Sequence, residues 1–150
     1  MTYGDIVQSV TGTLQSLFPK HNIYSMARVE RLERPAFFFS LKPVIVEPSN
    51  RRTRHNVLSL YIDYFQAVKD EADMYDTATK IRDALGWSYA VGDKGEFANV
   101  MEYDWDFVGS ERNIMEINVT LEYFDTVNND ETAPLIEDVD VTYHLREEYK

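Results

Sequence analysis

Apolar residues recur every three or four positions in two stretches of this chain, and each stretch predicts an amphipathic helix. In the first, Thr2 and Asp5 have the spacing of a capping box and Pro19 ends the helix; its apolar positions are Ile6, Val10, Leu14, Leu17 and Phe18. In the second, Asp70 is the N-cap and Gly86 follows the last turn; its apolar positions are Met74, Ala78, Ile81 and Leu85. Each helix therefore presents one apolar face to a core.

Residues 34–66, between the two helices, have the composition of a long β-hairpin with a basic tip. The first arm is rich in phenylalanine, and the second has apolar residues at alternate positions, namely Leu58, Leu60, Ile62 and Tyr64. Between the arms lie Arg51, Arg52, Arg54 and His55. Because the tip of so long a hairpin adds little to its own core, we predict that these residues contact another chain and that the arginines pair with carboxylates there. A shorter strand, Ile23 to Val29, is predicted before the hairpin.

A second hairpin is predicted where large apolar residues fill the odd positions of two consecutive segments. They are Phe97, Met101, Tyr103, Trp105 and Phe107 in the first segment and Met115, Ile117, Val119, Leu121 and Tyr123 in the second. Both rows face one core only if odd residues pair with odd residues, which requires a loop with an odd number of residues. A three-residue loop, Gly109 to Glu111, meets this condition; it sets Trp105 opposite Met115 and Asp104 opposite Glu116.

The polar side of this second hairpin is strongly acidic. It carries Glu102, Asp104, Asp106, Glu116 and Glu122. Like charges on adjacent strands repel one another, so either water screens this face or a basic surface meets it.

The predicted elements combine into an α+β fold of one domain over residues 1–150. We expect a mixed, mostly antiparallel sheet with long hairpins, packed against two main helices. A last strand is predicted around Val139, Val141 and Tyr143, with residues 145–150 as a loose tail.

Composition narrows the class of protein. With 150 residues, of which 44% are hydrophobic, the chain can bury the core of one globular domain. It contains no cysteine, which excludes a disulfide framework and a thiol nucleophile. The longest apolar runs are far shorter than the roughly 20 residues that cross a bilayer, and the start lacks the pattern of a secretory signal. We therefore expect a soluble protein that is made inside a cell and binds no membrane.

The net charge of −11 is concentrated in the last part of the chain. Residues 1–90 contain eleven Lys and Arg against ten Asp and Glu, whereas residues 91–150 contain four against sixteen. Phosphate contacts need clustered basic residues, so stable nucleic-acid binding is not expected. The acidic part suits either a docking surface for a basic protein or a wall that repels DNA.

Candidate catalytic groups are sparse. The three histidines, His21, His55 and His144, have no second ligand at metal-binding spacing, and there is neither a phosphate loop nor a nucleophile elbow. We expect no catalytic residue, metal or cofactor. One alternative is an enzyme for a small ligand that uses Asp104 and Glu116 as an acid/base pair, but two carboxylates on an exposed sheet face lack the burial that separates two pKa values.

The first 65 residues resemble the tail terminator proteins of tailed phages and phage-tail-like bacteriocins. The resemblance rests on a helix ending LxxLFP at Leu14 to Pro19, then Ile23-Tyr24, and Arg34-Pro35 before a phenylalanine-rich strand. It continues with Asn50-Arg51 and Arg54 before the strand that ends Tyr64-Phe65. Beyond that strand the predicted elements follow in the same order as in the family, but the chain shares no distinctive sequence motif with it there.

The resemblance implies a subunit of a ring, expected to be a hexamer, on the head-proximal end of a tail tube. Such a ring stops tube polymerisation and offers a platform to the next component; its partners are the tube protein and, further, sheath and head–tail connector proteins. The implied location is the virion or a phage-tail-like particle assembled in the host cytoplasm, and no enzyme is implied. A head–tail connector or completion protein of the same apparatus is the main alternative. Whether the acidic face lines the channel or docks onto the tube is left open by the sequence.

Overall fold

The computed structural model describes residues 1–25 and 32–127 of the chain. Within these ranges the chain forms helices α1 (Tyr3–Leu17) and α2 (Glu71–Leu85) and six strands. The strands are β1 (Asn22–Ser25), β2 (Ala36–Pro48), β3 (Thr53–Phe65), β4 (Ser88–Val91), β5 (Glu96–Val108) and β6 (Ile114–Thr126). The predicted α+β class is confirmed.

One six-stranded sheet with the order β1-β2-β3-β6-β5-β4 connects all the described strands. β1 pairs with β2 in parallel, and every other pair is antiparallel, so the sheet is mixed and mostly antiparallel as predicted. The predicted strand from Ile23 is confirmed up to Ser25, and its later positions lie outside the described residues. The predicted last strand around Val139 and the tail at 145–150 also lie outside them.

The two helices begin where the sequence predicts. At α1, the Thr2 hydroxyl accepts the Asp5 N–H at 3.1 Å and the Asp5 carboxylate accepts the Thr2 N–H at 2.7 Å, which completes the capping box. At α2, the Asp70 carboxylate accepts the N–H groups of Ala72 and Asp73. Gly86 ends α2 with φ of 60°, a conformation that favours glycine.

Both helices pack on one face of the sheet and form a single core with it. The fully buried members include Ile6 and Leu14 from α1, Ile81 from α2, and the rows Leu58, Leu60, Ile62 of β3 and Met115, Ile117, Val119, Leu121 of β6. We call this side of the sheet the helix face and the opposite side the open face. No helix in the described ranges has the length and apolarity that crossing a membrane requires.

The β5–β6 hairpin keeps the predicted parity but not the predicted loop. Its loop has five residues, 109–113, and the strand pairs are shifted by two positions, so that Trp105 lies opposite Ile117 and Asp104 opposite Asn118. The predicted pairs of Trp105 with Met115 and of Asp104 with Glu116 are therefore wrong. The wider loop accommodates two residues with positive φ, Gly109 and Arg112, and any odd loop length preserves the pairing of odd with odd residues.

A β-bulge overturns part of the predicted apolar row of β5. The register shifts between Val100 and Glu102, so that Ala98 and Val100 enter the core on even positions. Phe97 and Met101, which we predicted to face the core, are instead each 57% exposed, and Trp105 is also exposed. The matching row of β6, from Met115 to Tyr123, is buried as predicted.

Shortening Ile117 to alanine should lower the free energy of unfolding by about 2 to 5 kcal/mol, because the side chain is fully buried under both helices. Thr126→Ala, on the exposed end of the same strand, is the matched control and should stay within about 0.5 kcal/mol of the parent. Urea unfolding followed by circular dichroism measures both. Equal losses in the two variants would contradict the position of the core.

Candidate functional site: the basic hairpin and the acidic sheet face

The β2–β3 hairpin extends beyond β1 on one side, whereas β6 pairs with β3 along its whole length on the other. Each strand has 13 residues, but β1 pairs only with Ala36 to Phe39, so among the described strands the rest of β2 is a sheet edge. A short turn closes the tip: the N–H groups of Ser49 and Asn50 donate to the Thr53 carbonyl at 2.8 and 3.1 Å. We call residues 42–52 the arm. The hairpin is as long as predicted, but only its turn lies beyond the paired strands, because β6 accompanies β3 as far as Thr53.

The four basic residues of the predicted tip do not form one patch. Arg51 and Arg52 lie in the turn and are exposed, whereas Arg54 and His55 lie within β3. Because neighbouring residues of a strand point to opposite faces, Arg54 lies on the helix face and His55 on the open face. Only the two turn arginines therefore occupy the projecting tip itself.

Arg54 binds a carboxylate of its own chain. Its Nε donates to Asp125 Oδ1 at 3.0 Å while Nη2 reaches Oδ2, a two-pronged contact across β3 and β6. Buried Asn56 also donates to Asp125 Oδ1, at 2.9 Å. These hydrogen bonds, with the one from Arg54 foremost, lower the pKa of Asp125. We predicted that the arginines pair with carboxylates of another chain, but the carboxylate that Arg54 binds in this structure belongs to its own chain.

His55 bridges three strands on the open face. Its Nδ1 lies 3.1 Å from Glu47 Oε1 on β2 and its Nε2 lies 2.8 Å from Glu122 Oε1 on β6. The ring also stacks on Phe124, with centroids 4.8 Å apart. Two carboxylates favour a ring that donates from both nitrogens, so the hydrogen bonds to Glu47 and then Glu122 raise the pKa of His55. His55 thereby ties the arm, at Glu47 near its turn, to β6.

The predicted acidic residues lie together on the open face. Glu102, Asp104 and Asp106 on β5 share that side with Glu116 and Glu122 on β6. The sequence analysis missed a further member, Asp63 on β3, which lies directly opposite Glu116 and completes the row Asp63, Glu116, Asp106 across three strands. The sequence does contain a signal for Asp63, because it alternates with the apolar residues of β3 and so shares the polar side of that strand with Ser59 and Tyr61.

Asp63 is the most perturbed carboxyl of this face. Partial burial, followed by the charge of Glu116, raises its pKa to about 6. Its Oδ1 is buried without a hydrogen-bond partner, as is Oδ1 of Asn118. Like charges and an unsatisfied oxygen both make this row costly for the isolated fold.

The arrangement lacks the acid/base pair on which the small-ligand alternative depends. Asp104 lies opposite Asn118, two positions along from Glu116, which faces Asp63 and Asp106. The part of the chain that the structure describes also contains no cluster of three His, Asp or Glu able to hold a metal ion. The carboxyl directly opposite Glu116 on β3, with a raised pKa, is Asp63 and not Asp104.

The His55 bridge predicts a pH-dependent stability. Because the folded state raises the pKa of His55, its contribution is complete below the ordinary histidine value of about 6.5 and is lost as pH rises through the folded pKa. The stability difference between the parent and His55→Gln, measured by urea unfolding, should therefore be larger at pH 6 than at pH 9.

His21 provides a control because its contribution to stability changes with pH in the opposite direction. Burial lowers its pKa, so its neutral form is favoured in the fold and stability falls as the ring is forced to protonate at low pH. The gap between the parent and His21→Gln should not shrink as pH rises. A difference for His55→Gln that stays constant from pH 6 to 9 would contradict the bridge.

Asp63→Asn should stabilise the fold at high pH. Since the raised pKa means that ionisation is disfavoured in the fold, the parent loses stability as pH rises from the ordinary aspartate range through about 6. After discounting for solvent screening, we expect the variant to gain about 1 kcal/mol at pH 8 and little at pH 4. Asp104→Asn, exposed on the same face, is the control, and an NMR titration of Asp63 gives the pKa directly. A pKa below 4 would contradict the assignment.

The chain is similar to known proteins in sequence and in fold. A family model described as phage tail terminator protein matches residues 5–133. No curated protein matches the sequence. A solved chain from the virion of a native gene transfer agent (GTA) particle is 16% identical, with a TM-score of 0.54, and the match covers 81% of this chain and 92% of that one. Another solved chain, without a functional description, is 10% identical with a TM-score of 0.54, over 87% of this chain and 99% of that one.

The two solved chains show the shared fold alone, because their identities to this sequence are low. The family model carries more weight, since it spans most of the chain, including both helices and all six described strands. The chain therefore belongs to the phage tail terminator family and is a structural protein of a phage tail.

Proposed function

We propose that this chain forms the ring that caps the head-proximal end of a tail tube. The ring stops tube polymerisation and gives the next component its platform. The observation that carries this proposal is the family match over residues 5–133, and the GTA virion chain of similar fold is consistent with a place in a particle. We expect a homo-oligomer, a hexamer by resemblance, assembled in the host cytoplasm and in contact with tube, sheath and connector proteins.

The shape of the sheet supports a ring subunit. Exposed sheet edges are a hazard for a protein that stays monomeric, and a closed ring can cover them. Here two such edges belong to the described strands, one along the arm and one along β5 beyond its pairing with β4. An arm with a free edge, whose turn holds Arg51 and Arg52, suits contact with a neighbouring subunit or with the tube.

We further propose that the open face lines the channel of the ring. It carries six carboxyl groups, Asp63, Glu102, Asp104, Asp106, Glu116 and Glu122, and the described helices pack on the other side. DNA that passes through a tail is a polyanion, and a carboxylate wall repels phosphates at distances within the Debye length.

Reversing the charge of the turn tests the role of the arm. Arg51→Glu with Arg52→Glu should leave the monomer folded, because both side chains are exposed, but should abolish capping and give tails longer than normal with scattered lengths. Lys69→Glu with Lys80→Glu, an equal charge change on and before α2, is the matched control and should preserve tail length. Electron microscopy of tails from a complemented deletion strain measures the lengths. Tails of normal, uniform length from the turn variant would refute the role of the arm.

The position of the protein in particles separates capping from the connector alternative. Labelled protein should remain on headless tails, at the end that joins the head. If the label stays on tailless heads and is missing from headless tails, the chain is a connector or completion protein instead.

A further inference from the structure

A long apolar groove runs along the free edge of β5, on the helix face. β4 pairs only with Glu96 to Asn99, so no described strand covers β5 beyond Met101. Between this edge and the end of α2 lies a cavity of about 440 Å³ whose apolar lining is Trp87, Val100, Met101 and Tyr103. Trp87 is 81% exposed there, which is unusual for the largest apolar side chain. The Tyr103 hydroxyl donates to the Ala78 carbonyl at 2.6 Å and so fixes the floor of the groove against α2.

The groove continues towards the middle of α2 and gains an aromatic wall. The next cavity, of about 470 Å³, shares Arg82 and Tyr103 with the first and adds Tyr75 and Trp105. The rings of Tyr75 and Trp105 lie 5.5 Å apart, and Phe107 lies 5.5 Å from Trp105. Contiguous exposed apolar surface of this kind marks contact sites on proteins. We call this surface the β5 groove.

The arm carries the complementary apolar surface on the opposite edge of the sheet. Val44 and Val46 are 56% and 49% exposed, and Val46 lies opposite Asn56, so it points to the helix face. The β5 groove opens on that same face. Exposed valines and an aromatic groove therefore lie at the two edges of one chain, and Val46 is on the same side of the sheet as the groove.

Two prolines decide how the arm makes contact. Pro43 and Pro48 bracket the exposed valines and have no N–H to donate, so the edge of the arm is a poor template for another strand. The valine side chains remain available to a partner. Contact through side chains is therefore favoured over extension of the sheet.

Charge complements shape at these two surfaces. The arm carries Lys42, Arg51 and Arg52 as exposed basic residues, while its acidic residue, Glu47, already contacts His55. β5, whose edge borders the groove, exposes Glu102, Asp104 and Asp106 on the open face, the side to which Lys42 also points on the arm. Opposite charges on two surfaces of one chain favour a head-to-tail encounter and disfavour contact between two arms or between two grooves.

We propose that the arm of one copy seats Val44 and Val46 in the β5 groove of a second copy, with the basic arm beside the acidic strand. The contact is heterologous, since two different surfaces meet, and such contacts close into rings when the rotation permits. The inference extends the proposed ring by naming its subunit interface. A tube protein in the groove is the competing occupant, which the experiment distinguishes.

The absence of native cysteine makes disulfide trapping a clean test. Val46 and Met101 lie on β2 and β5, which are three strand spacings apart, or about 14 Å, so these two positions cannot bridge within one chain. We expect mixed Val46→Cys and Met101→Cys proteins to form a heterodimer on mild oxidation. The double variant should give a ladder of covalent oligomers that ends at the ring size, both in purified protein and in tails assembled with it. Val68→Cys, at an 80% exposed site off both surfaces, is the control.

Three results would overturn the interface: Val46→Cys homodimers in excess, mixed disulfides no more frequent than with Val68→Cys, or a photocrosslink in tails from a maleimide–benzophenone label on Met101→Cys to the tube protein and not to a second copy. Val46→Asp separates this inference from the proposed function. It should weaken self-association at least tenfold and give uncapped tails. Capped tails of normal length with Val46→Asp, and no mixed disulfide, would defeat the interface and leave capping intact. A mixed disulfide in a protein that is missing from tails would support the interface and refute capping.

Discussion

The pairing of β3 with β6 is the constraint on which the rest of the structure depends. The two strands match residue for residue over their full length, from Thr53 opposite Thr126 to Phe65 opposite Ile114, without a bulge. Since the side-chain period of a strand is two, this unbroken register places one apolar row of each strand under the helices and every polar partner on the open face. A slip of one residue would turn over one of the two strands, exposing its core row and burying its polar row, with Asp63 in β3 or Glu116 in β6.

The flanking strands behave differently, and the contact surfaces arise there. β2 has an irregularity between Pro43 and Ile45, and β5 has one between Val100 and Glu102. Each shift reverses the alternation of its strand, so apolar side chains that the central pair would bury are exposed instead, on the arm and beside α2. Both irregularities occur in segments of outer strands that the short strands β1 and β4 do not cover. The rigid centre thus supplies the fold and the irregular edges supply the surfaces.

Periodicity predicted the regular part of the fold and failed where the period changes. The two helices, with Thr2, Asp70 and Gly86 at their ends, follow local rules that the sequence displays directly. The parity of the β5–β6 pair was also readable, but its loop length was not, because three and five residues satisfy the same parity. The bulge at Met101 was missed because the large apolar residues stay at odd positions; its only signal is that the smaller Ala98 and Val100 are apolar at even positions before it. At the site, the sequence allows one to predict that Arg54 and His55 point to opposite faces, because they are neighbours in β3. The pairing of Arg54 with Asp125 could not be predicted, because it depends on the register between β3 and β6.

The charges that do not pair within the subunit are distributed unevenly between its two edges. Arg54 is bound to Asp125, and His55 lies between Glu47 and Glu122, so these groups largely offset one another within the hairpin. The basic character of the arm then includes Lys42 and Arg52, which are exposed at one edge of the sheet. The remaining carboxylates are concentrated on β5 and the adjoining open face, towards the other edge. A subunit with opposite charge at its two edges attracts its copies edge to edge in one direction only, and that polarity is what a closed head-to-tail ring requires.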